Sequence, residues 1–490
     1  MDAEKEITKN RKKKMVLVQV SFALIANLIA IAPGMNLGFS AVALPSLLNP
    51  NSSFHVTEEE ATWIASIASI STPFGCILTG SILEQFGRKS TLLLVNFPCI
   101  LGWLLIAFAQ GDYTLIMIYA GRFFTGLATG MSSVPVTVFS AEISSDSLRG
   151  MFITWTSSSM ALGILLIYIL GYLFQDNWRL MAGLSAILPF VSFIMIFAFL
   201  VETPSWLLSK GKLEKAERNF KILRGVAKNS EMPTVVSNEF EIMSKKYKID
   251  NKDNHSNEKK SILKLFFRKG AIKPFIIMNL FFFFQQFSGI FVVIFYAVQI
   301  VVESGVSWDP YLITILIGIC RLLVTVCMGY ICKRYGRRPP SIVSGAGMTI
   351  CMACLATYLF LSDTGQISEE WSGFVDWIPA VSLILFILTS TIGFLTLPWA
   401  MIGEVFPSDV RGFAAGLTVC FAYIFNFIIV KAYSDMRDAL SSYGVFFFYG
   451  AFSVFGTIFV VLFLPETQGK TLLEIEEYFS RKKSKNDNPS

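Results

Sequence analysis

The stretch LITILIGICRLLVTVCMGYI, Leu312 to Ile331, is apolar almost throughout, with Arg321 near its middle. A guanidinium is a planar fork of five N–H donors that keeps its charge, so it can bond adjacent hydroxyls or grip an anionic group. It is costly at such a place, about +2.5 to +3.5 kcal/mol at the centre of a spanning helix and more against lipid. The inner end of the run lies 332 − 321 = 11 residues away, roughly 16 Å, too far for easy snorkelling. The other apolar runs carry no Asp or Glu near mid-depth to pair with it. A water-filled cavity with polar neighbours is the expected environment, and an arginine satisfied by backbone carbonyls for packing alone is the competing one.

A second set of charged residues comes in pairs. EISSDSLRG (142–150) and EVFPSDVRG (404–412) each place Glu and Arg seven apart, followed by Gly. Glu142 with Arg149, and Glu404 with Arg411, are expected to form charge-assisted pairs across short loops. GSILEQFGRKS (80–90) and GYICKRYGRRP (329–339) each carry a glycine seven residues before a Gly-Arg-basic turn. Gly87 permits a tight turn, and Arg88, like Arg337, can reach carboxylates and the carbonyl ends of neighbouring helices. ETPSW (202–206) and PETQGK (465–470) complete the series. The offsets are 336 − 87 = 249, 404 − 142 = 262 and 466 − 202 = 264. Three matches in order at a nearly constant offset imply a six-helix unit duplicated in parallel, a transporter architecture with a binding site between the halves. A charge network that forms in one state and breaks in another acts as a gate. The plainer reading is that these charges cap helices and fix topology.

The elements that would position these groups follow from composition. Of 490 residues, 53% are hydrophobic and only 16% charged, where a soluble chain has about a quarter. Apolar runs long enough to cross about 30 Å of hydrocarbon recur twelve times, at roughly 16–46, 61–83, 90–109, 114–138, 150–172, 180–201, 273–302, 311–332, 341–361, 377–403, 412–433 and 443–464. The first is too long, and lacks an obvious cleavage site, for a secretory leader. The expected fold is all-α and polytopic: a tail at 1–15, a six-helix bundle at 16–201, a linker at 202–272, a second bundle at 273–464 and a tail at 465–490.

Basic residues set the orientation. The start EKEITKNRKKK, the tail RKKSK and the segment 205–272 are rich in Lys and Arg, whereas the loops 47–60, 173–178, 303–310 and 362–376 contain neither. Both termini and the central linker are therefore expected in the cytoplasm, and the net charge of +6 reads as topology rather than nucleic-acid binding. All eight cysteines fall in apolar runs, so disulfides are not expected. CMAC (351–354) has metal-like spacing, but the two histidines, His55 and His255, lie in loops, and neither a metal nor another cofactor is expected. In the linker, Leu208, Leu213, Ala216, Phe220 and Leu223 recur at helical spacing, ILKLFFRKG (262–270) suggests a further helix, and KKYKIDNKDNHSNEKK (245–260) reads as a solvated linker. Asn51-Ser52-Ser53 is a glycosylation acceptor sequence in the first outside loop. The tail SRKKSKNDNPS (480–490) reads as disordered.

Together with GRFFTGLATG (121–130), QQFSG (285–289), PW (398–399) and PETQGKT (465–471), the paired motifs resemble the sugar-porter branch of the major facilitator superfamily, over about residues 20–475. LGFSAVALPSLL (37–48) and the segment from Arg321 to GRRP are similar to insect facilitated trehalose transporter-like proteins. The resemblance implies that Gln285 and Gln286 hydrogen-bond sugar hydroxyls, that Trp399 packs on the sugar ring, that Asn426 faces the cavity and that Tyr296 folds over bound substrate. It also implies a small cytoplasmic helical bundle under the gate, a cavity-facing Arg321, and Glu84, Arg88, Glu142, Arg149, Arg337, Glu404 and Arg411 in the cytoplasmic gate. Four positions depart from the branch. Ser157 replaces a glutamine, Phe291 and Arg321 replace asparagines, and Lys333 replaces the acid three residues before the second Gly-Arg-Arg turn. Where proton-coupled members carry an aspartate in the first span, this chain has Ser40, so facilitated diffusion is expected.

The leading functional reading is therefore a facilitative plasma-membrane carrier, not an enzyme, for trehalose or a related sugar, working by alternating access. Its expected partners are the sugar and the lipid bilayer, with no nucleic acid and no obligate protein partner. A carrier for an organic anion selected by Arg321, and a non-transporting sugar sensor, are the alternatives.

Overall fold

A computed structural model describes residues 2–52, 54–226, 232–256, 265–366, 375–407, 410–470 and 472–480. Backbone polar groups find no water in hydrocarbon, so a chain this apolar must satisfy them internally, and helices do so. In the first half these are α1 (Asp2–Leu47), α2 (Glu58–Phe86), α3 (Arg88–Ala107), α4 (Thr114–Ile143), α5 (Asp146–Leu173) and α6 (Trp178–Phe199). The linker forms α7 (Pro204–Ser209), α8 (Leu213–Leu223) and α9 (Thr234–Ser256). The second half comprises α10 (Lys269–Phe287), α11 (Ile290–Phe295), α12 (Ala297–Glu303), α13 (Pro310–Tyr335), α14 (Arg338–Asp363), α15 (Ile378–Ile392), α16 (Leu397–Val405), α17 (Arg411–Lys431) and α18 (Tyr433–Phe463), followed by α19 (Leu472–Ser480).

Eleven spans among the described residues are long and apolar enough to cross a membrane. The remaining apolar run, 273–302, the seventh of the twelve, is broken into α10, α11 and α12. Gly289, at φ +81°, turns the chain at the first break and packs so close to Tyr449 that a Cβ would lie 2.5 Å from its ring. Tyr296 occupies the second break and is buried. Interrupted helices at membrane depth expose carbonyls and N–H groups, which is tolerated only where protein or a cavity receives them.

Contacts divide the chain into two compact units. The first holds Met1–Glu258, Ile294–Gln299 and Asp309–Leu322, and the second holds Lys259–Val293, Ile300–Trp308 and Leu323–Ser490. Inside the first, close approach of backbones does the packing, as in membrane bundles generally. A Cβ on Gly34 would stand 2.0 Å from the Met160 carbonyl, and one on Gly75 would stand 2.1 Å from that of Leu127. The segments from the second repeat join this unit through Tyr168, whose hydroxyl donates to the Ile294 carbonyl at 2.9 Å, and through Gly318, packed on Leu165 and Tyr168.

The linker helices bury Trp206, Leu207, Leu208, Ala216, Phe220, Val226, Val236 and Phe240 in a small core of their own. Trp206 Nε1 donates to the Glu84 carbonyl at 3.0 Å and Asn219 to that of Glu202 at 2.8 Å, fixing the bundle to the first unit. Two polar stretches differ from expectation. Lys245–Ser256, read as a solvated linker, continues α9 as helix, started by a Lys245–Glu241 pair one turn apart. The basic N-terminal segment likewise extends α1 back to Asp2. The rest of that linker (257–260), the first three residues of the 262–270 stretch (262–264), and all but Ser480 of the C-terminal tail lie outside the described residues.

Candidate functional site

In the second unit, three amides form one directed chain. Asn426 Nδ2 donates to Gln286 Oε1 at 2.9 Å, Gln286 Nε2 to Gln285 Oε1 at 3.3 Å, and Gln285 Nε2 to the Phe394 and Leu395 carbonyls at 2.5 and 3.1 Å. Those carbonyls belong to the break between α15 and α16, so Gln285, two residues before the end of α10, satisfies acceptors that the interrupted helix leaves open. Gln285, Gln286 and Asn426 are all buried. Trp399, just past the break and half-buried, meets Phe282 edge-on at 4.9 Å and Tyr423 at 5.7 Å. The result is a set of donor–acceptor amides beside an aromatic face, which suits a polyhydroxyl ligand. Phe291 belongs to this unit and is buried.

Ser157, Tyr296 and Arg321 belong to the first unit. Ser157 is exposed, whereas Arg321 is only 6% exposed and near enough to Tyr168 for their charges to interact.

A second buried arginine, which the sequence did not bring forward, lies in the first unit. Arg122, in α4, is completely buried. Its Nε donates to the Ile64 carbonyl at 2.9 Å, Nη1 to the Asn36 carbonyl and Oδ1 at 2.8 and 2.5 Å, and Nη2 to Ser40 Oγ and the Ala65 carbonyl at 3.0 and 3.4 Å. All five donors are met by neutral acceptors, and the Phe39 ring lies 5.7 Å from the guanidinium carbon. The cost argument that singled out Arg321 applies equally to Arg122, but its neighbourhood of small residues in GRFFTGLATG hid it.

At the paired turns the two halves repeat one geometry. Arg88 Nε and Nη2 donate to Glu142 Oε1 at 3.0 and 2.7 Å, and Nη1 to the Leu83 carbonyl at 3.4 Å. Arg337 Nη2 donates to Glu404 Oε1 at 2.7 Å, and Nη1 to the Cys332 carbonyl at 3.0 Å. Glu202 accepts from the backbone N–H of Arg88 and Lys89, and Glu466 from those of Arg337 and Arg338, so the acids cap the starts of α3 and α14. The pairing differs from the expected one within each loop. Glu404 Oε2 accepts from the Thr467 hydroxyl at 2.7 Å, and Arg411 Nε donates to the Phe406 carbonyl at 3.2 Å. Arg149 is exposed at the start of α5. Glu84 contributes its carbonyl to Trp206 while its side chain is exposed and, among the described residues, forms no ion pair.

Burial pushes the Glu202 carboxyl above its ordinary range, against the backbone donors of Thr203, Lys89 and Arg88. Burial acts the same way on Glu466, but the backbone N–H groups of Arg338, Gln468, Arg337 and Thr467 together hold it below that range. Asn51 is exposed in its loop, and Ser53 of the same acceptor sequence lies outside the described residues.

Residues 22–479 match the family model described as "Sugar (and other) transporter". The facilitated trehalose transporter Tret1 of Culex quinquefasciatus is 31% identical over 464 residues, covering 94% of this chain and 86% of that one. The Tret1 of Polypedilum vanderplanki is also 31% identical, with 94% and 88% covered. Against Tret1 of Aedes aegypti the identity is again 31%, but this chain spans only 55% of that relative. Among solved structures, an inward-open conformation of the xylose transporter XylE from E. coli superposes with a TM-score of 0.75 at 22% identity, over 94% of this chain and 99% of that one. The proton:xylose symporter XylE bound to 6-bromo-6-deoxy-D-glucose gives a TM-score of 0.73 at 22% identity, over 95% and 99%.

Proposed function

This chain belongs to the sugar transporter family, and on that premise we propose that it is a facilitative carrier for trehalose or a related sugar, moving it across the plasma membrane by alternating access. The amide chain from Asn426 through Gln286 to Gln285 carries this reading. Each amide both donates and accepts, so the network can exchange a bond with its neighbour for one with a sugar hydroxyl at little net cost. Trp399, held by Phe282 and Tyr423, offers the ring face on which the sugar packs. Tyr296, at the outer break of the seventh span, closes over the ligand, and Ser157, Phe291 and Arg321 tune its fit.

Arg122 supports the uniport reading. Its charge is met by carbonyls, an amide and the Ser40 hydroxyl, groups that do not change protonation in the physiological range. Arg88, Glu142, Arg337 and Glu404, with Arg149, Arg411 and Glu84 beside them, form the cytoplasmic gate in this reading. Both termini face the cytoplasm and Asn51, on the opposite side, carries a glycan.

The burial of Arg321 favours one second reading, a carrier selecting an organic anion. Uptake of radiolabelled trehalose, glucose and small anions by cells lacking their own sugar carriers separates the two. Excess neutral disaccharide blocks uptake only in the first reading, and acceleration by an imposed proton gradient would refute the uniport.

A further inference from the structure

Helix α13 ends in a cationic groove that neither the candidate sugar site nor the turn network uses. Along it the side chains of Leu323, Val326 and Tyr330 recur three and four residues apart and are 61%, 63% and 66% exposed, a single outward stripe. Three and four residues beyond Tyr330 stand Lys333 and Arg334, both exposed. With Tyr330 they line a groove of about 330 Å³.

The groove is built rather than incidental. Arg334 Nη1 donates to Tyr330 Oη at 3.1 Å, and its guanidinium carbon lies 5.5 Å from the Tyr335 ring. Gln468 donates to the Lys333 carbonyl, fixing the helix end beneath the ammonium group. Nearby Arg337 spends its charge on Glu404, and Arg338 donates to the Val461 carbonyl. Lys333 and Arg334 form no ion pair among the described residues.

Depth identifies the occupant. Leu323 to Lys333 spans 333 − 323 = 10 residues, about 15 Å at 1.5 Å per residue. That is half of a hydrocarbon core of about 30 Å. Acyl chains lying along Leu323 and Val326 would bring a headgroup phosphate level with Lys333 and Arg334, while Tyr330 and Tyr335 sit where amphipathic rings settle at a membrane interface. We propose that this groove binds the phosphate of an anionic glycerophospholipid, its tails along the α13 stripe. Two uncompensated cations favour an anionic headgroup over a zwitterionic one, and anionic lipids concentrate in the cytoplasmic leaflet. Only the choice of leaflet rests on the orientation proposed above.

The test uses the full chain in phosphatidylcholine nanodiscs doped with phosphatidylserine, read by native mass spectrometry. Wild-type protein should keep a phosphatidylserine adduct that the double variant Lys333→Gln, Arg334→Gln weakens about tenfold or more, with phosphatidylcholine adducts unchanged. Equal phosphatidylserine retention by the variant overturns the proposal. So does displacement of the lipid by millimolar inorganic phosphate, which would make the ligand a soluble anion. If the double variant is not monodisperse, Tyr330→Phe, which releases Arg334 without removing charge, should lower retention by a smaller factor, and no change there is equally fatal. No transport is measured, so failure of the sugar reading leaves the test intact.

Discussion

Arg88 Nη2 stands 2.7 Å from Glu142 Oε1, and Arg337 Nη2 stands the same 2.7 Å from Glu404 Oε1. In both halves a Gly-Arg turn brings a cation to the end of a helix two spans further on, and an acid after the last span of the half caps the helix that the turn begins. Gly87 and Gly336 are required for this, at φ +95° and +87°, with Cβ positions 2.4 and 2.6 Å from the Glu202 and Glu466 carboxylates. A side chain at either place would displace the cap. The duplication thus preserves a three-dimensional clamp as well as a sequence pattern.

If these clamps hold the cytoplasmic side in one state, Arg88→Ala and Arg337→Ala should each lower the maximal transport rate. A charge-assisted bond contributes about 1.5–3 kcal/mol, so a tenfold drop or more is expected, with the sugar KM changed by less than about threefold. Initial rates in reconstituted vesicles decide it. An unchanged rate in either variant would make the clamp merely structural in that half.

The two capping acids should respond oppositely to loss of charge. Glu466 has a carboxyl held below the ordinary range, so its ionised form stabilises the fold above the unfolded value of about 4.3, and that contribution is lost as pH falls through the lower folded value. Glu202 is shifted up, so the folded state binds its proton more readily than the unfolded chain and stability falls as pH rises through the raised value. At pH near 7, Glu466→Gln should therefore lower the unfolding temperature in detergent clearly more than Glu202→Gln. Equal losses would contradict the opposed shifts.

Much of the fold could be read from the chain, because apolar runs near twenty residues have few alternatives to spanning helices. The repeat was legible too, since Gly, Arg and Glu recur at nearly fixed offset. Partnership was not. Arg88 and Glu142 lie 142 − 88 = 54 residues apart and meet only because α2, α3 and α4 pack side by side, while the loop neighbour Arg149 offered a nearer but wrong partner. The broken seventh span was invisible for a related reason: GIFVVIFYAVQI is apolar but for Gln299, and only Gly289 marks either interruption. Gln285 and Gln286 stood out as polar residues in that run, but their link to the carbonyls of Phe394 and Leu395 depends on a second break more than a hundred residues away.

Asn426 begins the amide chain, and removing its side chain takes away one donor to Gln286 without a large loss of volume. One neutral hydrogen bond is worth about 0.5–1.5 kcal/mol, so Asn426→Ala should lower kcat/KM for sugar uptake by roughly three- to tenfold. Gln286→Ala interrupts the chain at its centre and should cost more. A titration of uptake against sugar concentration for both variants gives the order, and a larger loss from Asn426→Ala would reverse the proposed direction of the network.

Arg122 is a matter of stability. Arg122→Ala would leave Asn36 Oδ1 and Ser40 Oγ buried without this donor and strip the helix carbonyls of Asn36, Ile64 and Ala65 of a second one. Each such group costs about 1–3 kcal/mol, so little folded protein should be recovered, and fluorescence-detected size exclusion would register the loss. Normal yield and a normal unfolding temperature would mean that water replaces the guanidinium.

Arg321 asks a different question, because it is buried one turn beyond Gly318, where α13 packs on Leu165 and Tyr168. A packing arginine and a ligand-selecting arginine predict different outcomes for the same substitution. If Arg321 only fills space, Arg321→Met keeps the apolar stem and the volume, relieves a buried charge, and should leave uptake kinetics near wild type or improve folding. If its fork selects the solute, both Arg321→Ala and Arg321→Met should reach the cell surface and lose transport at least about tenfold, the equivalent of one charge-assisted bond, or should accept a different sugar. Tyr168→Phe supplies the internal comparison, since it deletes the bond to the Ile294 carbonyl while leaving the guanidinium in place. Surface biotinylation combined with uptake of labelled trehalose and glucose measures all three. Wild-type kinetics in a correctly delivered Arg321→Met protein would assign this residue to packing and leave selectivity to the amides of the second unit.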